Sequence, residues 1–230
     1  MVLSLGAILA ASYGYFLWAL GVICATVALI SWAVIAPSST LFGPLQNKIA
    51  RPNTVALTFD DGPHPEITPM VLDILDTYGA KATFFVIGSQ AERYPEILKS
   101  IHARGHAIGN HSYHHGIFTN LQSFSAYKAD VKGCEELIFA MTGAKTQLFR
   151  PPMGLKNPIL FRVVAAMGYR VVTWSCTFKA TTKLRSGDIV LFHDGYYLFG
   201  KKKPHFQTPA LLEKALIQIN QKGWSTELMA

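Results

Sequence analysis

The apolar and polar positions divide the chain into two unlike parts. From Met1 to Asn47 there is no Asp, Glu, Lys, Arg or His, and from Val2 to Ala36 the residues are almost wholly apolar. A core helix of a soluble protein keeps a polar stripe. This stretch has none, so residues 1–36 read as a membrane segment. A signal peptide would open on a basic region and carry a shorter apolar run, so cleavage is not expected. As a helix, about 35 residues rise about 50 Å against about 30 Å of hydrocarbon. Two arrangements fit: one long tilted span, or a tight hairpin bending near Tyr13-Gly14. Pro37-Ser38-Ser39-Thr40 and Gly43-Pro44 then mark residues 37–50 as a linker.

From Val55 onward, strand-like and helix-like stretches alternate. Strands are expected at Val55–Phe59, Ala82–Ile87, Ala107-Ile108, Leu148-Phe149, Tyr169–Trp174, Ile189–Phe192 and Trp224–Leu228. Helices are expected at Thr68–Tyr78, Pro95–Arg104, Ser123–Met141, Pro158–Met167 and Pro209–Gln221, with Gly143 and Gly168 as stops. Met70, Val71, Ile74, Leu75 and Tyr78 give the first of them its apolar face. This order belongs to an α/β domain over 51–230 with a largely parallel sheet. Six or seven units suggest a complete or distorted (β/α) barrel more than an open sheet.

At 230 residues, half of them apolar, the chain can build one core and little more. Cys24, Cys134 and Cys176 are odd in number and widely spaced, which suggests neither a disulfide framework nor a cysteine zinc site. The net charge is +7, but no arginine-rich run accompanies it. The dense basic cluster Lys201-Lys202-Lys203 fits a solvated loop or anionic lipid head groups better than nucleic acid.

In parallel α/β folds, chemistry gathers at the C-terminal ends of the strands. Asp60-Asp61, Asn110-His111, Arg150-Pro151-Pro152 and His193-Asp194 each follow a predicted strand. An Asp-Asp-Gly-Pro sequence can be a plain surface turn. Two adjacent carboxylates repel, however, and a nearby cation relieves them. His111 and His115 stand four apart, so on one helical turn they would share a face and hold one ion together. With one carboxylate of the pair they make a two-His, one-Asp set that leaves positions open, as in a catalytic metal site. Zinc suits these ligands, with cobalt, nickel or manganese as alternatives. The second aspartate is then free to act as a base toward water whose pKa a metal lowers to about 7. Arg150 could hold that base ionised, and His193 could protonate a leaving group.

Thr58-Phe59-Asp60-Asp61-Gly62-Pro63, His111-Ser112-Tyr113-His114-His115, Arg150-Pro151-Pro152-Met153-Gly154, Trp174 and Leu191-Phe192-His193-Asp194 together resemble the polysaccharide deacetylase family, carbohydrate esterase family 4, over roughly residues 50–230. The resemblance implies a distorted (β/α) barrel and metal-dependent hydrolysis of N-acetyl groups on amino sugars. It implies Asp60 as base, Asp61, His111 and His115 as metal ligands, Arg150 as the residue orienting the base, and His193 as acid. It further implies an oxyanion-binding NH near Met153 and a methyl pocket lined by Trp174 and Leu191.

One stretch departs from the family pattern. Where aspartates and a second Trp are usual after Trp174, the chain reads Ser175-Cys176-Thr177-Phe178-Lys179-Ala180-Thr181, with no acid. His193 then lacks its usual carboxylate, and Asp194 or Asp188 is left as a substitute. Two rival functions follow: a catalytically silent carbohydrate-binding or scaffold protein, and a deformylase or esterase acting on a lipid-linked sugar. The expected partners are an N-acetylated saccharide and a lipid bilayer; protein partners are not indicated. Lys48 and Arg51 after the apolar segment point to a cytoplasmic domain, whereas family custom places it outside. The expectation adopted is a membrane-anchored, extracytoplasmic domain.

Overall fold

The run Thr54–Asp60 forms a strand buried along its whole length, as strands of a parallel sheet covered on both faces are. Its pleat sends Val55, Leu57 and Phe59 into a core shared with helices. Ala56 joins a second cluster with Phe85, Val172, Ile189 and Met229. Phe59 stacks between Phe84 at 4.9 Å and Phe192 at 5.3 Å. Burying such a ring contributes about 1.5–3 kcal/mol. The opposite face continues through Thr58 to Asp60, and this alternation aims the carboxylate at the inside of the curl.

The structure is a computed structural model and describes residues 5–116, 118–195 and 205–229, with side chains from residue 12 onward. Its elements are α1 (Leu5–Ile35), β1 (Leu45–Gln46), β2 (Thr54–Asp60), α2 (Ile67–Thr77), β3 (Thr83–Val86), α3 (Gly88–Arg93), α4 (Pro95–Ala103), β4 (Ala107–Asn110), α5 (Phe124–Thr142), β5 (Leu148–Phe149), α6 (Pro158–Ala166), β6 (Arg170–Val172), β7 (Cys176–Thr177), β8 (Ile189–His193), α7 (Thr208–Gln221) and β9 (Ser225–Thr226). Single turns of 3-10 helix occupy Thr119–Leu121 and Pro152–Gly154. The strands run in the order β1-β6-β5-β4-β3-β2-β8-β7, with β9 also paired to β2, and every ladder is parallel. The result is a curled half-barrel, the distorted form of the expected fold. The Lys201-Lys202-Lys203 cluster lies outside the described residues.

Local sequence accounts for the ends of the long helices. The Ser123 hydroxyl accepts from the Ala126 NH to start α5, and Gly143 ends it in the left-handed region at φ 69°. Asn157 caps α6 by accepting from the Leu160 NH, and Pro158 occupies the first turn, where its missing NH costs nothing. Three elements had no sequence signal. β1 and β7 have two residues each, and α3 is six residues without apolar periodicity.

The N-terminal apolar segment is one continuous helix, with no bend at Tyr13-Gly14. The stretch expected as a linker is partly built into the sheet. Leu45 and Gln46 pair with Val171 and Val172 of β6. Lys48 then bridges to Asp188, and the Ile49 NH donates to the Gly187 carbonyl just before β8. Ser39 and Ile49 are buried. A segment this short in apolar residues gave no strand signal, but the unpaired edge of β6 supplies one.

Candidate active site

The parallel register decides which side chains meet. Asp60 pairs with Phe85 of β3 on one side and His193 of β8 on the other. Asn110 pairs with Val86 and with Phe149, the residue before Arg150. The predicted residues therefore share the C-terminal rim.

Arg150 is fully buried and organises the interior. Its Nη1 donates to Asp60 Oδ1 at 2.7 Å and to Thr58 Oγ1 at 2.9 Å. Its Nε donates to the Val172 carbonyl and its Nη2 to that of Thr173. The guanidinium lies 4.0 Å from the Phe85 ring centroid. Burial pulls its pKa below the ordinary value, and the charge of Asp60 opposes that pull. An arginine so paired holds one oxygen of Asp60 fixed. Asp60 Oδ2 lies 3.9 Å from His111 Nε2.

Asp61, His111 and His115 form a second group. Their ligand atoms lie within 4.8 Å of one another. Asp61 Oδ1 is 3.4 Å from His111 Nε2 and 3.5 Å from His115 Nε2. The loop that brings the imidazoles together is not the expected helical turn. Ser112 and His115 take left-handed φ values of 66° and 51°, and Asp61 does so at 71°. Such conformations cost on the order of 1–3 kcal/mol each and cluster where a site demands them.

Three observations test whether this group suits a cation. His111 Nδ1 must donate to the Arg150 carbonyl, 2.8 Å away, because a carbonyl only accepts. That bond leaves Nε2 as the ring atom facing Asp61, the one that would ligate a metal once its proton is lost, as in metal-ligating histidines. His115 Nε2 is buried with no hydrogen-bond partner, and burial pulls its pKa to about 4, so the ring is neutral. Burial opposes ionisation of Asp61, yet the hydrogen bond from His111 and the neighbouring imidazoles outweigh it and hold it at about 2. Burial likewise disfavours a charged His111, but Asp60 and Asp61 outweigh it and raise its pKa. The donor set fits a divalent metal with open positions.

His114 lies apart from this group: its Nδ1 sits 2.6 Å from Asp130 Oδ1. Asp130 also accepts from the Tyr113 and His114 NH groups, and so braces the loop from behind. Asn110 contributes similarly, its Oδ1 accepting from the Ser112 NH and its Nδ2 donating to the Val131 carbonyl. Neither bracing role was foreseen. A signal existed for Asp130, the one acid in the buried stripe Tyr127, Asp130, Val131, Cys134 and Ile138 of α5.

The remaining predicted residues lie on neighbouring strands and turns. Met153 is held at φ 57°, ψ 11° in the turn after β5. The half-buried Trp174 packs against Gly154, where a Cβ would come within 2.5 Å of the indole. Gly154 also has φ +66°, so two constraints require glycine there. Leu191 is buried on the His193 face of β8, opposite Thr58. Neither proposed substitute carboxylate supports His193. Asp188, at the other end of the strand, accepts from Ser175 Oγ and the Arg185 NH. Asp194 Oδ2 accepts from Thr68 Oγ1 at 2.6 Å, and burial pushes its carboxyl up to about 7. His193 stacks instead on His205, with centroids 5.0 Å apart and rings 20° from parallel.

The family model described as Polysaccharide deacetylase matches residues 47–172. A peptidoglycan-N-acetylglucosamine deacetylase of Bacillus cereus is 35% identical over 74% of this chain and 83% of its own length. A chitooligosaccharide deacetylase of Azorhizobium caulinodans is 34% identical over 62% and 74%. Among solved structures, a peptidoglycan N-acetylglucosamine deacetylase in complex with 4-naphthalen-1-yl-N-oxidanyl-benzamide superposes with a TM-score of 0.72. It is 29% identical, and the match covers 80% of this chain and 90% of that one.

Proposed function

The chain belongs to the polysaccharide deacetylase family, and from that premise we propose that it hydrolyses N-acetyl groups from amino sugars of a cell-envelope glycan. The observation carrying this reading is the separation of two adjacent aspartates into different environments, Asp60 against Arg150 and Asp61 against two imidazoles. Asp61, His111 and His115 would hold the metal, and zinc suits their donor set best. When bound, such an ion supplies Lewis acidity toward the acyl carbonyl and toward water.

The chain's own residues supply the rest. Asp60, with Oδ1 fixed by Arg150, keeps Oδ2 turned toward the ligand group and takes the proton of the attacking water. His193, beside Asp60 in the β2–β8 register, gives a proton to the leaving amine. The Met153 NH donates to the carbonyl oxygen as negative charge develops there. Trp174 and Leu191 close around the acetyl methyl. The stacked His205 orients His193 in the role usually taken by an aspartate. The apolar helix α1 anchors the domain in the membrane, on the extracytoplasmic face where envelope glycans such as those of the named relatives lie.

The test is release of acetate from N-acetylglucosamine oligomers and peptidoglycan fragments by the zinc-loaded full chain. Acetate in step with new free amines is expected. Formate in its place, or no release from either substrate, would overturn the reading.

A further inference from the structure

Helix α1 has no basic residue in its last turn, so its final carbonyls must find donors elsewhere. Lys156, on the loop between β5 and α6, provides them. Its Nζ donates to the carbonyls of Ala36 at 2.8 Å, Val34 at 3.3 Å and Gly154 at 3.3 Å. Its backbone NH donates to Val34 as well. The residue is 1% exposed. An ammonium has three protons, and here each meets a carbonyl, with the positive charge at the negative end of the helix. A second tie lies beside it. Thr173 Oγ1 donates to the Pro37 carbonyl at 2.7 Å, while the Thr173 carbonyl receives Arg150 Nη2.

These ties fix where the helix leaves the domain. The loops after β5 and β6 belong to the rim that carries Asp60, so α1 departs from the catalytic end. Every α1 residue from 12 to 32 is exposed. Ser12–Ile35 is long and apolar enough to cross a bilayer. The bilayer surface would then meet the domain at the rim. An independent feature agrees. Leu121 at 80% and Phe118 at 70% are the most exposed large apolar side chains outside α1 among the described residues. Both follow β4 on the same rim. They flank Asn120, whose carbonyl receives Asn157 Nδ2, from the residue next to Lys156. Phe206, after β8, is a further exposed aromatic at that end. Apolar side chains raised beside a membrane helix are what an interfacial contact uses.

We propose that the catalytic rim rests on the bilayer surface, with Lys156 as the joint to α1 and Phe118 and Leu121 entering the interface. The amino sugar is then presented from the membrane, as part of a lipid-linked saccharide. The substrate half rests on the deacetylase reading; the docking half does not.

The test places a fluorophore at Leu121→Cys or, at the far end of the sheet, at Arg185→Cys, in full chains carrying Cys24→Ala and Cys176→Ser. The proteins are reconstituted in vesicles of phosphatidylcholine and phosphatidylglycerol with brominated tails. Strong quenching at 121 with none at 185 is expected, and Lys156→Met should abolish it while α1 stays inserted. Equal quenching at both positions, or none at 121, overturns the docking. For the substrate, one N-acetylglucosamine oligomer is offered free and lipid-conjugated in the same vesicles. A lower KM for the conjugate is expected, and Phe118→Ser with Leu121→Ser, both surface changes, should remove that advantage. Equal KM values overturn the substrate half. Loss of turnover on both sugars with quenching intact would count against the deacetylase reading instead.

Discussion

Arg150 Nη1 lies 2.7 Å from Asp60 Oδ1, and neither side chain has more than 5% exposure. A buried pair of this kind is held by geometry as much as by charge, since three more of the guanidinium protons also have acceptors. The pairing gives Asp60 a fixed orientation that the neighbouring Asp61 does not share, and that difference lets adjacent carboxylates do different work. Arg150→Ala leaves Asp60 as an unpaired buried charge, so a stability loss of about 3–5 kcal/mol is expected. Urea unfolding measures it. A loss within the range of ordinary surface changes would show that the pair is not the anchor described.

Asp130 acts at one remove, through the loop that carries both histidines. Three donors converge on its carboxylate, from the Tyr113 NH, the His114 NH and the His114 ring. Asp130→Asn cannot accept all three on equal terms. Zinc affinity is expected to fall about 10–100-fold, the usual cost of losing an outer support. Competition against a chromogenic chelator reads it, and an unchanged affinity would assign Asp130 to folding alone.

Stability should fall on acidification, at a site far from the rim. Burial is the main cause that pulls the His106 pKa down from 6.5 to about 4, and the charge of Lys81 adds to it. His106 Nδ1 accepts from the Ala82 NH, as a neutral ring does. Below pH 6.5 the unfolded chain binds a proton that the folded one refuses. Its contribution is therefore fully present above that pH and is lost as pH falls toward 4, by roughly 3 kcal/mol. Unfolding curves of the native chain and His106→Gln between pH 7 and pH 4 should converge, the variant being flatter. Parallel curves would contradict the assignment.

Much of the fold was legible because its signals are local. Val55–Phe59 is an apolar run stopped by Gly62-Pro63, and the expected Ser123–Met141 helix differs from the observed Phe124–Thr142 by one residue at each end. Side-chain identity at strand ends also indicated which groups share the rim, and the family resemblance singled out Asp60 as the carboxylate that Arg150 holds. What stayed hidden depends on distant partners. Leu45-Gln46 becomes a strand only because β6 offers an edge. His111 and His115 approach through left-handed backbone at Ser112 and His115, which a periodicity argument for a helical turn does not contain. Lys156 was an unremarked basic residue until the end of α1 came to lie against it. Support for His193 was sought in nearby acids, whereas the stacked partner His205 lies twelve residues further along the chain.

The account turns on Asp60 and Asp61 having different tasks, and one paired measurement addresses that directly. Zinc content and acetate release are determined together for the native chain, Asp60→Asn and Asp61→Ala. Asp60→Asn should keep its zinc and lose turnover by at least the 100-fold typical of a missing general base, whereas Asp61→Ala should lose both. Undiminished acetate release from Asp60→Asn, or full zinc retention by Asp61→Ala, would contradict it.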